Sequence, residues 1–131
     1  MRYIIYGTGG IGGAIGARLF QHGHEVVLIC RGEQLTAIQQ RGLTLKTPKE
    51  TVQLPLRAVG HPAELKFTGK DVVLLTMKSQ DTEGALRDLE RAGGSEVPII
   101  CAQNGVDNER MAARHFERVY GMVVVMPATY L

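Results

Sequence analysis

The sequence has little that would cross-link the fold or place it in a membrane. Its two cysteines, Cys30 and Cys101, form no C-x-x-C pair and no cysteine–histidine cluster with metal-ligand spacing. This usage is typical of a reducing compartment, so we predict two buried thiols and a cytoplasmic protein. No apolar run approaches the length of a membrane span, and the glycines from Gly7 to Gly13 interrupt the apolar segment that a signal peptide needs.

Charge of one sign is also scarce. The 15 lysines and arginines against 13 acidic residues leave a net charge of +2, and no basic block occurs. This balance gives no reason to expect a nucleic-acid or membrane-surface partner. No Ser/His/Asp arrangement or metal cluster is evident, so neither a hydrolytic triad nor a metal site is predicted. A chain of 131 residues with 44% hydrophobic content suits one globular domain, residues 1–131.

What the sequence does have is a glycine-rich loop near its start. The apolar residues 3–6 run into Gly7, Gly9 and Gly12, and a helical pattern of small and apolar residues follows. In such a loop the first glycine permits a sharp turn, the second leaves room for a pyrophosphate, and the third lets the helix approach the sheet. The phosphates rest on N–H groups at the helix N-terminus. The alternative is a tight turn that needs several positive φ angles. The predicted dinucleotide loop comprises Gly7, Thr8, Gly9, Gly10, Ile11 and Gly12.

Apolar segments and helical patterns alternate along the rest of the chain. Strands are predicted at 2–6, 25–30, 72–76, 97–101 and 118–125, and helices after Gly12 and at 33–40, 81–92 and 107–115. This alternation predicts an α/β fold, a doubly wound and mostly parallel sheet of the Rossmann type. A turn at 47–50 joins two short alternating segments, so a small antiparallel excursion is predicted around residues 43–57. Pro55 suggests an edge element there.

The residue after the second predicted strand indicates which nicotinamide nucleotide is preferred. An NAD site commonly has an acidic residue there, whereas an arginine suits the 2′-phosphate of NADP. This chain has Arg31 at that place, and the planar fork of arginine pairs with phosphate at two points. We therefore predict NADP. One alternative is that the nearby carboxylate of Glu33 contacts a ribose. The other is that Arg31 is simply a solvated side chain at a strand end.

Two further loops carry polar residues at the predicted carboxyl edge of the sheet. Lys78 follows the strand at 72–76, and its ammonium can hold a phosphate or ribose oxygen or polarise a carbonyl. Asn104 follows the next strand, and its amide can donate to and accept from a ribose or substrate hydroxyl. The alternatives are a surface lysine and a common Asn-Gly turn.

These motifs together resemble the N-terminal domain of the ketopantoate reductases, also called 2-dehydropantoate 2-reductases. The resemblance implies NADPH-dependent reduction of a 2-keto acid to a 2-hydroxy acid, in the best-known case on the route to pantothenate. It covers essentially the whole chain. The segments that carry it are 7–12, 23–26, Arg31, 78–82, 103–106 and 126–129.

The resemblance also implies roles for individual residues. Arg31 would bind the 2′-phosphate, Lys78 would contact the cofactor near its ribose, and Asn104 would bridge the nicotinamide ribose and the substrate. Lys78 and Asn104 are thus the implied catalytic pair. The other implied cofactor contacts outside the glycine loop are Met77, Gln80, Gly105 and Ala128.

Members of this family continue into a helical C-terminal domain that supplies the proton-donating lysine. We therefore expect the 131-residue chain to bind NADP(H) but to turn over a keto acid poorly or not at all. Self-association into a homo-oligomer through an exposed sheet edge is a further expectation. The alternative function is a non-enzymatic nucleotide-sensing module of the kind that regulates transport, which usually carries an acidic residue at the position of Arg31.

Overall fold

The fold is built on a parallel sheet, seen in a computed structural model that describes residues 1–7, 9–93, 96–102 and 107–121. Its strands are β1 (Arg2–Tyr6), β2 (Glu25–Ile29), β3 (Leu43–Lys46), β4 (Thr51–Leu54), β5 (Arg57–Val59), β6 (Asp71–Leu75), β7 (Ile99–Cys101) and β8 (Val119–Gly121). Its helices are α1 (Gly10–Gln21), α2 (Gly32–Arg41), α3 (Ser79–Gly93) and α4 (Asp107–Ala113), with a short 3-10 helix at Pro62–Glu64.

Six of these strands form the main sheet in the order β5-β2-β1-β6-β7-β8, and every described pairing in it is parallel. The remaining pair, β3 and β4, forms a separate antiparallel sheet. This is the strand order of the doubly wound dinucleotide-binding fold. The α/β prediction with a small antiparallel excursion is therefore confirmed.

The core lies on both faces of the sheet because successive residues of a strand point to opposite sides. Ile4 and Val73 belong to the half of the core that includes residues of α3 and α4. Ile5 and Leu74 belong to the half that includes residues of α1 and α2. Strand β6 is buried at every position, which is why its sequence is a continuous apolar run rather than an alternating one.

The antiparallel excursion is shorter than the sequence indicated, and an additional strand follows it. The two-stranded sheet ends at Leu54, and Arg57 instead begins β5, which pairs in parallel with β2 at the edge of the main sheet. Three residues are too few for an apolar period to distinguish a strand from a loop. At the end of the chain, the described part of the last predicted strand is Val119–Gly121, and 122–125 lie outside the described residues.

Cys30 and Cys101 are both buried and are not joined by a disulfide, as predicted. Burial raises the pKa of the Cys101 thiol to about 11. In the described ranges, no helix is long and apolar enough to cross a bilayer.

A histidine joins α3 to the segment that follows α4. His115 Nδ1 lies 3.1 Å from Glu90 Oε1, and His115 Nε2 lies 3.1 Å from Glu83 Oε1. The hydrogen bonds to Glu90 and then to Glu83 raise the pKa of His115, against the opposing effect of burial. The same contact with His115 lowers the pKa of Glu83.

We expect this cluster to stabilise the fold within a window of pH. Because the pKa of His115 is raised in the folded state, its contribution to the free energy of unfolding is complete below pH 6.5. This contribution is lost as the pH rises through the folded-state pKa. Because the pKa of Glu83 is lowered in the folded state, its contribution to the free energy of unfolding is present above pH 4.5. This contribution is lost as the pH falls through the folded-state pKa of Glu83. The free energy of urea unfolding should therefore differ most between wild type and His115→Asn from pH 4.5 to 6.5.

The control is His22→Asn, which changes an exposed histidine in the turn after α1. Its effect on the unfolding free energy should not follow that pH window. A His115→Asn effect that is the same at every pH would contradict the role of the cluster.

Candidate functional site

Four loops meet at the carboxyl edge of the main sheet and enclose a cleft of about 480 Å³. They follow β1 at Gly7, β2 at Arg31, β5 at Gly60 and His61, and β6 at Met77. After β1 the chain continues to β2 on one side of the sheet, whereas after β6 it continues to β7 on the other side. The loops after β1 and β6 therefore lead away from each other and leave a crevice between them. Open α/β sheets bind ligands at such a crevice.

The turn after β1 is possible only for glycine. Gly7 has a φ of +93°, and its N–H donates to the carbonyl of Ile29 at 2.9 Å. A Cβ added at Gly7 would lie 2.9 Å from the backbone nitrogen of Met77. The conformation and the close neighbour together keep a side chain out of the place where β1 meets the loop after β6.

Gly12 allows α1 to begin directly against this turn. A Cβ at Gly12 would overlap both the carbonyl oxygen of Gly7 and Oγ1 of Thr76. The hydroxyl of Thr76 is itself engaged, because it donates to the carbonyls of Tyr6, at 3.0 Å, and Gly7. Gly12 is therefore required by packing.

Gly9 and Gly10 face open space instead. Gly9 caps α1 in an extended conformation, with φ −62° and ψ −172°. Within the described residues, a Cβ added at either residue would meet no atom within 4 Å. Small residues therefore begin α1, and the N–H groups of a first helical turn are the arrangement that receives a phosphate group.

We expect Gly12→Ala and Gly9→Ala to differ sharply in their effect on stability. Overpacking against Gly7 and Thr76 should cost Gly12→Ala about 1–3 kcal/mol of unfolding free energy. Gly9→Ala should lose less than about 1 kcal/mol, because the conformation suits alanine and only the helix cap is weakened. Urea unfolding followed by circular dichroism measures both, since the chain contains no tryptophan. Equal losses would contradict the close approach of α1.

Arg31 forms the second wall of the cleft. It is the residue before α2, in an extended conformation, and its side chain is exposed. The guanidinium makes no ion pair with any residue in the described ranges. Gln34 lies one turn further on and also lines the cleft, whereas the exposed Glu33 does not. The cationic group at the end of β2 is therefore available to a ligand.

The start of α3 forms the third wall. Met77, Gln80 and Asp81 line the cleft there. Lys78 belongs to the same loop and is exposed, but it is not one of the cleft-lining residues. Its carbonyl accepts the N–H of Asp81 at 2.9 Å, so the backbone of Lys78 is fixed at the start of the helix.

The structure thus brings together part of the predicted site. Gly7, Arg31, Met77 and Gln80 line one cleft, and the residues from Gly9 to Gly12 begin the helix beside it. Thr8, Asn104, Gly105 and Ala128 lie outside the described residues.

The floor and far wall of the cleft contain residues that the sequence did not indicate. Tyr6 lies at the end of β1, and burial, followed by the charge of Asp88, raises its pKa to about 12, while Arg31 opposes that rise. Tyr6 therefore offers a neutral hydroxyl between an acidic and a basic group. His61 Nε2 lies 3.4 Å from Asp88 Oδ2, and His61 Nδ1 accepts the N–H of Ala63 at 3.0 Å.

His61 was missed because β5 was missed. The histidine stands two residues after Val59, the last residue of β5, at the same edge as Arg31. The signal that could have placed it is the pair Ala58-Val59 followed by Gly60, a short apolar run before a glycine. No pattern joined Tyr6 to Asp88, which are distant in the chain.

A family model and several curated relatives identify the family. The family model described as ketopantoate reductase PanE/ApbA matches residues 3–131. The 2-dehydropantoate 2-reductase of Archaeoglobus fulgidus is 30% identical over 128 residues, which are 97% of this chain and 40% of that protein. The enzyme of the same name from Mesorhizobium japonicum is 34% identical over 107 residues, 81% of this chain and 32% of that protein.

Solved structures with a similar fold include a protein of the same family and a dehydrogenase of another name. The PanE/ApbA family ketopantoate reductase from Ralstonia eutropha superposes with a TM-score of 0.88 at 31% identity, covering 97% of this chain and 42% of that one. A D-mandelate dehydrogenase solved with NADH and anilino(oxo)acetate has a TM-score of 0.82 at 27% identity, covering 92% of this chain and 40% of that one. The chain spans less than half the length of each of these relatives.

Proposed function

This chain belongs to the ketopantoate reductase PanE/ApbA family, and we propose that residues 1–131 form an NADP-binding domain of that family. The observation that carries the proposal is the shared cleft of Gly7 and Arg31. The glycine turn and the first turn of α1 suit a pyrophosphate, and an available guanidinium at the end of β2 suits a 2′-phosphate.

The residues present fit a dinucleotide. No atom of the described residues lies within 4 Å of a Cβ placed on Gly9 or Gly10. The cleft at Arg31 is lined by Gln80 and by the neutral hydroxyl of Tyr6, which can donate to or accept from a ribose or base. When bound, the nicotinamide nucleotide supplies the hydride for reduction.

NADP rather than NAD is favoured by the side chains near the end of β2. Arg31 lines the cleft, whereas Glu33, the nearest acidic residue after it, does not. The D-mandelate dehydrogenase relative was solved with NADH, so the shared fold alone does not select NADP and the choice must come from local residues. An arginine here pairs with the 2′-phosphate that NADH lacks.

The reaction we propose for the whole protein is the reduction of 2-dehydropantoate or a related 2-keto acid. Hydride adds to the carbonyl carbon and a proton adds to its oxygen, which gives the 2-hydroxy acid. Lys78 would stabilise the developing negative charge on that oxygen, and Asn104 would orient the substrate. The proton donor would come from the helical C-terminal domain of the family, so we propose that residues 1–131 alone reduce the keto acid very slowly.

Calorimetric titration of the 131-residue chain tests the binding proposal. NADPH should bind at least about tenfold more tightly than NADH, because charge-assisted hydrogen bonds to the 2′-phosphate are added. Adenosine 2′,5′-bisphosphate should likewise compete better than ADP. Equal or tighter binding of NADH would overturn the NADP assignment and favour a nucleotide-sensing module.

The reaction is tested separately with 2-dehydropantoate and NADPH, by the loss of NADPH absorbance. The isolated chain should show almost no turnover. A rate within the usual enzyme range, about 1–1000 per second, would contradict the requirement for a second domain.

A further inference from the structure

Two fully buried polar side chains connect the first turns of α3 and α4. Thr82 is 0% exposed and Asn108 is 1% exposed. The hydroxyl of Thr82 donates to Oδ1 of Asn108 at 3.2 Å. Burying a hydroxyl and an amide is costly unless each finds a partner, whereas apolar side chains of similar size would pack between two helices without that requirement.

The hydroxyl of Thr82 also reaches the loop after β6. Its Oγ1 lies 3.5 Å from the carbonyl oxygen of Lys78, which already accepts the N–H of Asp81. A hydroxyl has one hydrogen, which Thr82 gives either to Asn108 or to this carbonyl. The Thr82–Asn108 hydrogen bond therefore connects the first turn of α4 to the first turn of α3, which begins directly after the Met77–Lys78 loop.

The location of this connection matters because both helices begin at the carboxyl edge of the sheet. Met77 of the connected loop lines the cleft, and its backbone nitrogen is the atom nearest to the position that a Cβ of Gly7 would occupy. A shift of the loop would change the cleft at the turn where the nucleotide is proposed to bind. The cluster of His115, Glu83 and Glu90 runs along α3 from the residue after Thr82 and already joins the helix to the segment after α4, so attachment of the two helices does not depend on the buried pair alone.

We propose that Thr82 and Asn108 are positioning residues for the nucleotide site. Their hydrogen bond holds the Met77–Lys78 loop in the geometry that accepts the dinucleotide, although neither residue lines the cleft. The inference rests on the proposed nucleotide-binding function. It assigns to this pair an effect on affinity that is separate from its effect on stability.

The test compares Thr82→Val, which removes the hydroxyl but keeps the shape, with Thr82→Ser, which keeps the hydroxyl. Thr82→Val should weaken the binding of both NADPH and NADH by about tenfold with their ratio unchanged, because Arg31 lies on another element. Thr82→Ser should restore affinity to within about twofold of wild type. Affinities are measured well below each variant's unfolding temperature, so a purely structural role would leave them unchanged.

The matched control is Thr36→Val. The hydroxyl of Thr36 also bonds to the carbonyl four residues earlier, that of Gly32, at 3.4 Å, but Thr36 is exposed. It should change nucleotide affinity less than about twofold, since no second helix depends on it. If the wild type binds nucleotide and Thr82→Val binds it with the same affinity, the inference is overturned.

Amide hydrogen exchange keeps the two proposals separable. Thr82→Val should accelerate exchange in the segments 76–82 and 108–113 of the nucleotide-free chain, whether or not nucleotide binds. If wild type binds neither nucleotide, the proposed function fails. Unchanged exchange in both segments would then overturn the positioning role as well, and faster exchange would support the connection between the loop and α4.

Discussion

Arg31→Ala should lower the affinity for NADPH by about 10- to 100-fold, since hydrogen bonds to a charged group contribute about 1.5–3 kcal/mol. The guanidinium lines the cleft at the end of β2 and makes no ion pair with any other residue that the structure describes. Removing it therefore disturbs no described ion pair. NADH carries no 2′-phosphate, so its affinity should change less than about threefold.

The two ends of α2 provide a matched control. Arg41 is exposed in the last turn of that helix, away from the cleft. Arg41→Ala makes the same chemical change and removes the same net charge, so it should affect both nucleotides equally and weakly. Calorimetric titration with NADPH and NADH measures both variants.

Arg31→Lys separates charge from geometry. Lysine keeps the positive charge but cannot form the two parallel bonds of the guanidinium, so its NADPH affinity should lie between those of wild type and Arg31→Ala. Equal losses of NADPH and NADH affinity in Arg31→Ala would contradict a 2′-phosphate contact. They would instead place the arginine against a part that both nucleotides share.

The fold could be predicted from the sequence where the signal is local. The run from Tyr3 to Tyr6 before the glycines, and the stretch from Val72 to Leu75, are long enough for an apolar pattern to identify a buried strand. Gly7 and Gly12 could be assigned because the strand–turn–helix pattern itself calls for glycine at these places, although the atoms that exclude a side chain include Met77 and Thr76 after β6. Arg31 followed from its place after a predicted strand.

The rest of the cleft depends on contacts between distant segments. Tyr6 and Asp88 come together only when β1 and α3 pack on one another, and no spacing in the sequence records that packing. His61 depends on β5, which has three residues and one apolar side chain larger than alanine. Lys78 lies after β6, as expected, but it is exposed and is not among the residues that line the cleft.

An ion pair at the amino edge of the sheet also joins distant segments, so the sequence alone did not predict it. Arg2 donates to Asp71 from Nε at 2.8 Å and from Nη2 at 2.9 Å, across 69 residues of sequence. Asp71 also accepts the N–H of Thr68 at 2.7 Å, and Arg2 donates to the carbonyl of Lys66 at 2.9 Å. The hydrogen bond to Asp71 is the main cause that raises the pKa of Arg2.

Asp71→Ala should reduce the free energy of unfolding by about 3 kcal/mol, the lower end of the range for breaking a buried ion pair. The carboxylate is 1% exposed, but the Arg2 side chain is 14% exposed and can recover part of its hydration. Arg87→Ala is the control, because its pair with Glu83 is exposed at both ends and should contribute less than about 0.5 kcal/mol. Since Asp71 begins β6 and the cleft lies at the other end of that strand, NADPH affinity should stay at the wild-type value below the unfolding transition. A stability loss under about 1 kcal/mol would mean that the pair contributes no more than a surface contact.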